Sequence, residues 1–145
     1  MRIAVFADTH GHYPSGLPAR LRHADEIWHL GDVVAPELLV EFEQLGRPLR
    51  VVRGNCDDHP WPLTLTLERA GVVCHLVHIP PPLAPPGAQI VLHGHTHVPR
   101  DETDSNGVRW LNPGSVSSPR SRSAACFAWL ELDAGRAVRW KLVRV

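Results

Sequence analysis

The chain has little cysteine, no surplus of either charge and no long apolar run, and each absence argues against a class of protein. Its 3 cysteines, Cys56, Cys74 and Cys126, are odd in number and lack C-x-x-C spacing. That argues against a disulfide framework or a structural zinc knuckle, and the three read as free thiols in a reducing compartment. The 15 basic residues balance the 15 acidic ones, so neither a broad nucleic-acid footprint nor sequence-specific nucleic-acid binding is expected. No stretch approaches the ~20 apolar residues that a membrane helix needs. The apolar run after Met1-Arg2 is too short for a signal-peptide core. The expected setting is soluble and cytoplasmic, without a membrane partner. No internal repeat is present, and 145 residues read as a single domain, 1–145, large enough to bury a core.

Short apolar runs that end in polar residues are what the chain does have. Ile3-Ala4-Val5-Phe6 is almost uninterrupted, as in a strand buried on both faces, and ends at Asp8-Thr9-His10. Ile27-Trp28-His29-Leu30 ends at Gly31-Asp32, and the strand Leu49 to Arg53 ends at Gly54-Asn55. Pro14, Gly16 and Pro18 allow only a short helix around Ala19 to His23. Pro36 opens a longer one with Leu38, Leu39, Phe42 and Leu45 on one face and Gly46 as its stop. This alternation predicts an α/β sheet. Beyond Trp61, Leu63, Leu65 and Leu67 alternate with polar residues. Val72 to Val77 pairs with them across Ala70-Gly71 and runs into His78. Five prolines between Pro80 and Pro86 exclude a helix before the Ile90-Val91-Leu92 strand, which ends at Gly94-His95-Thr96-His97. Val108 to Leu111 leads to the turn Asn112-Pro113-Gly114. Ala125 to Leu132 and Ala137 to Val145 close the chain as a hairpin around Asp133-Ala134-Gly135.

Five strand ends thus supply Asp8, His10, Asp32, Asn55, His78, His95 and His97. In open α/β sheets such ends converge on one site. Carboxylate, amide oxygen and imidazole without thiolate suit Mn²⁺, Zn²⁺, Fe or Ni²⁺ better than Mg²⁺ or Ca²⁺. One metal is too few for seven ligands. Two ions about 3.5 to 4 Å apart fit if a carboxylate bridges them, with Asp32 as the bridging candidate. Such a pair lowers the pKa of bound water toward roughly 7, so the expected nucleophile is metal-held hydroxide and not a side chain. Two divalent cations against two carboxylates leave an excess of positive charge, which favours a small anionic phosphoester as substrate.

Taken in order, Asp8-x-His10, Gly31-Asp32, Gly54-Asn55, His78, Gly94-His95-x-His97 and Asn112-Pro113-Gly114-Ser115 resemble the calcineurin-like metallophosphoesterase superfamily, in its small bacterial and archaeal phosphodiesterase branch. The resemblance implies a four-layer αββα fold, two mixed sheets flanked by helices, and a dinuclear site. It implies that Asp8, His10, Asp32 and His97 hold one metal, and Asp32, Asn55, His78 and His95 the other. The activity implied is phosphodiester or phosphomonoester hydrolysis, usually with Mn²⁺. Bridging hydroxide would attack phosphorus in line with the departing alcohol, and phosphodiesters are the preferred substrates. Phosphomonoester or nucleotide pyrophosphate hydrolysis is the alternative within catalysis. The same fold also serves as a protein-binding scaffold in a retromer subunit that resembles these enzymes but has lost some metal histidines.

Two departures from the family pattern stand out. Many members place His after the Asn, where it can protonate the leaving group. Here the residue is Cys56, a poorer acid, so good leaving groups are favoured. His78 is normally followed by Gly and a longer, partly helical segment, whereas here Ile79 and prolines follow and leave the site's wall more open. His12, His23, His29, His59, His75 and His93 read as ordinary surface or core histidines. Arg120 and Arg122 read as a solvated loop, Cys74 and Cys126 as packing residues, and the tryptophans as core or edge cover. The closing hairpin offers the edge through which a homo-oligomer would form.

Overall fold

Residues 2–6 alternate between two different cores, and that alternation organises the molecule. In the computed structural model, which describes residues 1–134 and 137–145, β1 (Arg2–Phe6) turns Ile3 and Val5 one way and Ala4 and Phe6 the other. The chain continues through α1 (Leu17–Leu21), β2 (Glu26–His29), a 3₁₀ turn (Pro36–Leu39) running into α2 (Val40–Glu43), and β3 (Leu49–Val51). Then come β4 (Thr64–Arg69), β5 (Val72–Val77), β6 (Ile90–Leu92), β7 (Arg100–Thr103), β8 (Arg109–Asn112), β9 (Cys126–Asp133) and β10 (Ala137–Arg144). The strands form two mixed five-stranded sheets, ordered β10-β9-β1-β2-β3 and β4-β5-β6-β8-β7. In the first, β1, β2 and β3 run parallel; in the second, β5, β6 and β8 do.

Ile3, Val5, Trp28 and Leu30 from the first sheet meet Leu76, Ile90, Leu92 and Leu111 from the second in the core between the sheets. On the outer face of the first sheet, Ala4, Phe6 and Ile27 pack on Leu17, Leu21 and Phe42 of the helical layer. The Phe6 and Phe42 rings lie 4.9 Å apart. Over the second sheet, Ala84 and Ala88 of the proline segment cover Val91 and Trp110. Extended chain therefore takes that outer layer, as five prolines require.

Three local expectations shift. The first short helix begins two residues early, with Pro18 in its opening turn. The helix after Pro36 starts as a 3₁₀ turn because Ala35 has no side-chain acceptor to cap it; Gly46, at φ +67°, still stops it. β7 carries no apolar alternation and was not expected from the sequence. It is an edge strand paired only with β8, and its charged residues suit an edge that must not recruit another chain. The closing hairpin forms as expected, though Gly135 of its turn lies outside the described residues.

Candidate metal centre

The carboxyl ends of the parallel strands in both sheets supply every candidate ligand. Backbone bonds clasp the first two loops together, from the Asp8 N–H to the Gly31 carbonyl at 3.0 Å and from the His10 N–H to the Asp32 carbonyl at 2.9 Å. Asp8, His10, Asp32, His95 and His97 all take left-handed backbone conformations, with φ of 55°, 46°, 57°, 66° and 60°. Such residues cost about 1–3 kcal/mol each and cluster where function fixes them. Two glycines allow the loops to approach. A Cβ on Gly31 would come within 2.7 Å of His78 Nδ1, and one on Gly54 would overlap the Asp32 backbone nitrogen and Oδ1.

One group of side chains is tight. Single ligand atoms from Asp8, His10, Asp32 and His97 all lie within 4.8 Å of one another. His10 Nε2 is 3.1 Å from His97 Nε2 and 3.6 Å from Asp32 Oδ2, and His97 Nε2 is 3.4 Å from Asp8 Oδ1. A second group adjoins it through the same carboxylate. His78 Nε2 lies 3.3 Å from Asp32 Oδ2 and 3.1 Å from Asn55 Oδ1, which is in turn 3.0 Å from His95 Nδ1. All seven sequence candidates are therefore brought together, His78 included. Asp8, Asp32, His78 and His97 are buried, His10 and His95 half-buried, and Asn55 and Cys56 exposed.

The hydrogen bonds of the imidazoles show what this arrangement fits. His78 Nδ1 donates to the Leu30 carbonyl at 2.7 Å, and His97 Nδ1 donates to the Ser118 carbonyl at 2.6 Å. Each ring so anchored turns its Nε2 toward carboxylate or amide oxygens, a contact that a proton or a cation at that nitrogen must bridge. Such outer partners are the usual device for aiming a metal-binding histidine. Asp8 Oδ2 is buried and has no hydrogen-bond partner, a costly condition for a carboxylate. The donor set and the orphaned oxygen fit a divalent cation of the Mn²⁺ or Zn²⁺ type.

The electrostatics agree. Burial pushes the Asp8 carboxyl up to about 7, opposed by His78 and reinforced by Asp32. Burial acts to raise Asp32 too, but hydrogen bonds from His78 and the Cys56 N–H outweigh it and hold that carboxyl below its ordinary range. Burial opposes protonation of His78, yet Asp32 and the Leu30 carbonyl outweigh it and raise its pKa. His97 is lowered by burial, with Arg120 and His10 adding to the effect.

Several supporting residues escaped the sequence. Asp57 accepts the N–H groups of Gly54, Asp32 and Val34 at 2.7, 2.9 and 2.8 Å, tying two ligand loops together. Its only sequence signal is its place in the polar turn after Gly54. Ser115 and Ser117 donate to the Asp8 carbonyl at 2.8 and 2.9 Å. Asn112 is buried, not a plain turn residue, and donates to the Gly94 carbonyl at 2.9 Å. Arg120 is exposed, as a solvated loop residue should be, and its N–H donates to the His97 carbonyl at 3.3 Å. Cys56 Sγ accepts from Asn55 Nδ2 at 3.3 Å; burial and the Asp32 carboxylate raise its pKa, so it stays a thiol.

Comparison with known proteins agrees with this geometry. The family model of the calcineurin-like phosphoesterase superfamily domain matches residues 1–135. A probable metallophosphoesterase of Methanothermobacter thermautotrophicus is 31% identical over 143 residues, spanning 83% of this chain and 80% of its own length. A solved structure from Streptococcus pneumoniae, described as a predicted phosphoesterase, superposes with a TM-score of 0.76 at 25% identity, covering 99% of this chain and 88% of that one. Vps29 of Entamoeba histolytica, solved in complex with zinc, shares the fold at a TM-score of 0.79 and 20% identity, covering 99% of this chain and 98% of its own. The chain belongs to the calcineurin-like phosphoesterase superfamily.

Proposed function

We propose that the chain is a dinuclear metal-dependent phosphoesterase acting by preference on phosphodiesters, as one domain spanning residues 1–145. The observation that carries this reading is the pair of acceptor groups joined at Asp32, each with a histidine whose Nδ1 proton is already committed to a carbonyl. Asp8, His10, Asp32 and His97 would hold one ion, and Asp32, Asn55, His78 and His95 the other, with Mn²⁺ the expected metal. When bound, two such ions supply the charge that makes water acidic near neutral pH and that balances a phosphoryl group.

The chain's own residues prepare the site. The Cys56 N–H holds Asp32 Oδ1 at 2.8 Å, so that Oδ2 is left to face His10 and His78. The His95 N–H fixes Asp8 Oδ1 at 3.2 Å. Arg120 adds positive charge beside Asp8 and His97, where the anionic oxygens of a bound phosphodiester would lie. A dianionic monoester needs more compensating charge than one such arginine gives, which favours diesters over monoesters or pyrophosphates. Cys56 stays protonated and is a poorer acid than an imidazolium, so activated leaving groups should react fastest.

Metal analysis of the purified chain, with hydrolysis of bis(p-nitrophenyl) phosphate measured with and without Mn²⁺, tests the reading. Metal-dependent turnover supports it; failure to hydrolyse any activated ester ends it. A second reading is a protein-binding scaffold on the same fold, and the complete set of His10, His95 and His97 weighs against it. Among the described residues no helix is long and apolar enough to cross a membrane, and a cytoplasmic setting fits the free thiols.

A further inference from the structure

β5 delivers His78 and continues directly into Ile79 and Pro80. A cavity of about 450 Å³ opens beside the candidate centre at this point. It shares Asn55 and His78 with the second ligand group, and Leu63, Val77, Ile79 and Arg53 are among its other walls. Leu63 is 60% exposed and Ile79 50% exposed, and neither takes part in the buried clusters. Single exposed aliphatics are ordinary, but two facing one concavity next to a polar centre ask for an occupant. The prolines after Ile79 do not cover them, because that segment lies over the second sheet, with Ala84 and Ala88 on Val91 and Trp110.

We infer that this cavity receives an apolar ester group of the substrate, so that the preferred substrates are phosphodiesters bearing an aryl or branched alkyl alcohol. The inference rests on the phosphoesterase reading and specifies which substrates the site takes. Its basis is continuity: the residues that would hold a phosphoryl group on the Asn55 and His78 side are also walls of the cavity. A phenyl-sized group fits this volume, within the range of small-molecule sites. A polyol ester is disfavoured, since hydroxyls turned toward Leu63, Val77 and Ile79 would leave water without gaining a partner there. A monoester has no second group to fill the space. Arg53 is the cation on this wall, and the Asp57 carboxylate beside it is already taken up by three backbone N–H groups.

The test is calorimetric titration of the Mn²⁺-loaded full chain with benzyl(methyl)phosphinate and with dimethylphosphinate, monoanions that carry two organic groups on phosphorus as a diester does and cannot be hydrolysed. The benzyl compound should bind about tenfold tighter or better, the discrimination that apolar pockets achieve for such groups. Combined Leu63→Ser and Ile79→Ser substitution should bring that ratio toward unity; both side chains are exposed, so folding is not at risk. Leu83→Ser, at a side chain 77% exposed and outside the cavity, should keep the wild-type ratio. Equal affinities in the wild type, or an unchanged ratio in the double variant, overturn the cavity assignment and leave the phosphoesterase reading standing. Binding of neither phosphinate, together with no hydrolysis of bis(p-nitrophenyl) phosphate, overturns both.

Discussion

His10 and His97 bring their Nε2 atoms to 3.1 Å although the second ring has already committed its Nδ1 proton to Ser118. In the neutral ring His97 Nε2 is then left with a lone pair, which a His10 Nε2–H or a cation can take up. Cation binding should therefore stabilise the native state, since the unfolded chain has no equivalent site. At a hundredfold excess over its Kd, Mn²⁺ should add about 2.7 kcal/mol. Thermal melts in EDTA and in Mn²⁺ read this directly, and His97→Ala should shrink the difference. Identical melts in the two buffers would mean that the cluster holds no ion.

Asp57 is the residue on which two ligand loops depend most without contributing a ligand. It accepts N–H groups from Asp32, Val34 and Gly54, so Asp57→Ala strands three donors in the turn that aims Asp32 and Asn55. Bonds to a charged acceptor are worth about 1.5–3 kcal/mol each where sheltered, and Val34 N is exposed, so the total loss should be on the order of 3 kcal/mol. Urea unfolding measures that loss. Metal titration separates aiming from mere stability: Mn²⁺ affinity should fall in Asp57→Ala under conditions where the variant remains folded.

The contrast between Asp57 and Asp32 shows what the sequence could reveal. Asp32 closes an apolar run, a local pattern, and the same pattern marks Asp8, Asn55, His78 and the histidines after Gly94, with a glycine directly before Asp32, Asn55 and His95. The strands followed from the same runs and their turns, and their arrangement in two sheets from the family resemblance. Asp57 acts across two loops, and Ser115, Ser117 and Asn112 likewise serve loops far away in the chain, so no spacing announces them. β7 stayed hidden because edge strands need no apolar face, and the 3₁₀ start after Pro36 because it turns on a missing cap. The Leu63 and Ile79 wall needed both sheets in place before it could be read.

His29 should make the fold acid-sensitive. Its Nδ1 accepts the Gly31 N–H at 3.1 Å and its Nε2 meets Thr9 Oγ1 at 3.1 Å, so a second proton has no place to go. Burial lowers its pKa from 6.5 to about 3. Between those values the unfolded chain binds a proton that the native state refuses, so the stabilisation is complete above pH 6.5 and declines as the pH falls toward 3. The slope for one proton is about 1.4 kcal/mol per pH unit. His29→Gln should be less stable at neutral pH, but the gap to wild type should narrow by about that slope on acidification. Denaturant unfolding in EDTA across the range measures it, and a constant gap would place the acid sensitivity elsewhere.

Metal stoichiometry decides whether the two ligand groups are one site or two. Asp32 is the only residue proposed for both, through Oδ2 at 3.6 Å from His10 Nε2 and 3.3 Å from His78 Nε2. If each group holds its own ion, the wild-type chain should take up about two Mn²⁺. Removing a ligand from one group should leave the other's ion in place, so His97→Ala and Asn55→Ala should each retain about one. Asp32→Ala should lose most of the affinity of both. Elemental analysis after equilibrium dialysis counts the ions, and circular dichroism checks that each variant is folded. A wild-type plateau near one ion, unchanged in Asn55→Ala, would confine the centre to Asp8, His10, Asp32 and His97 and recast His78 and His95 as partners of the substrate.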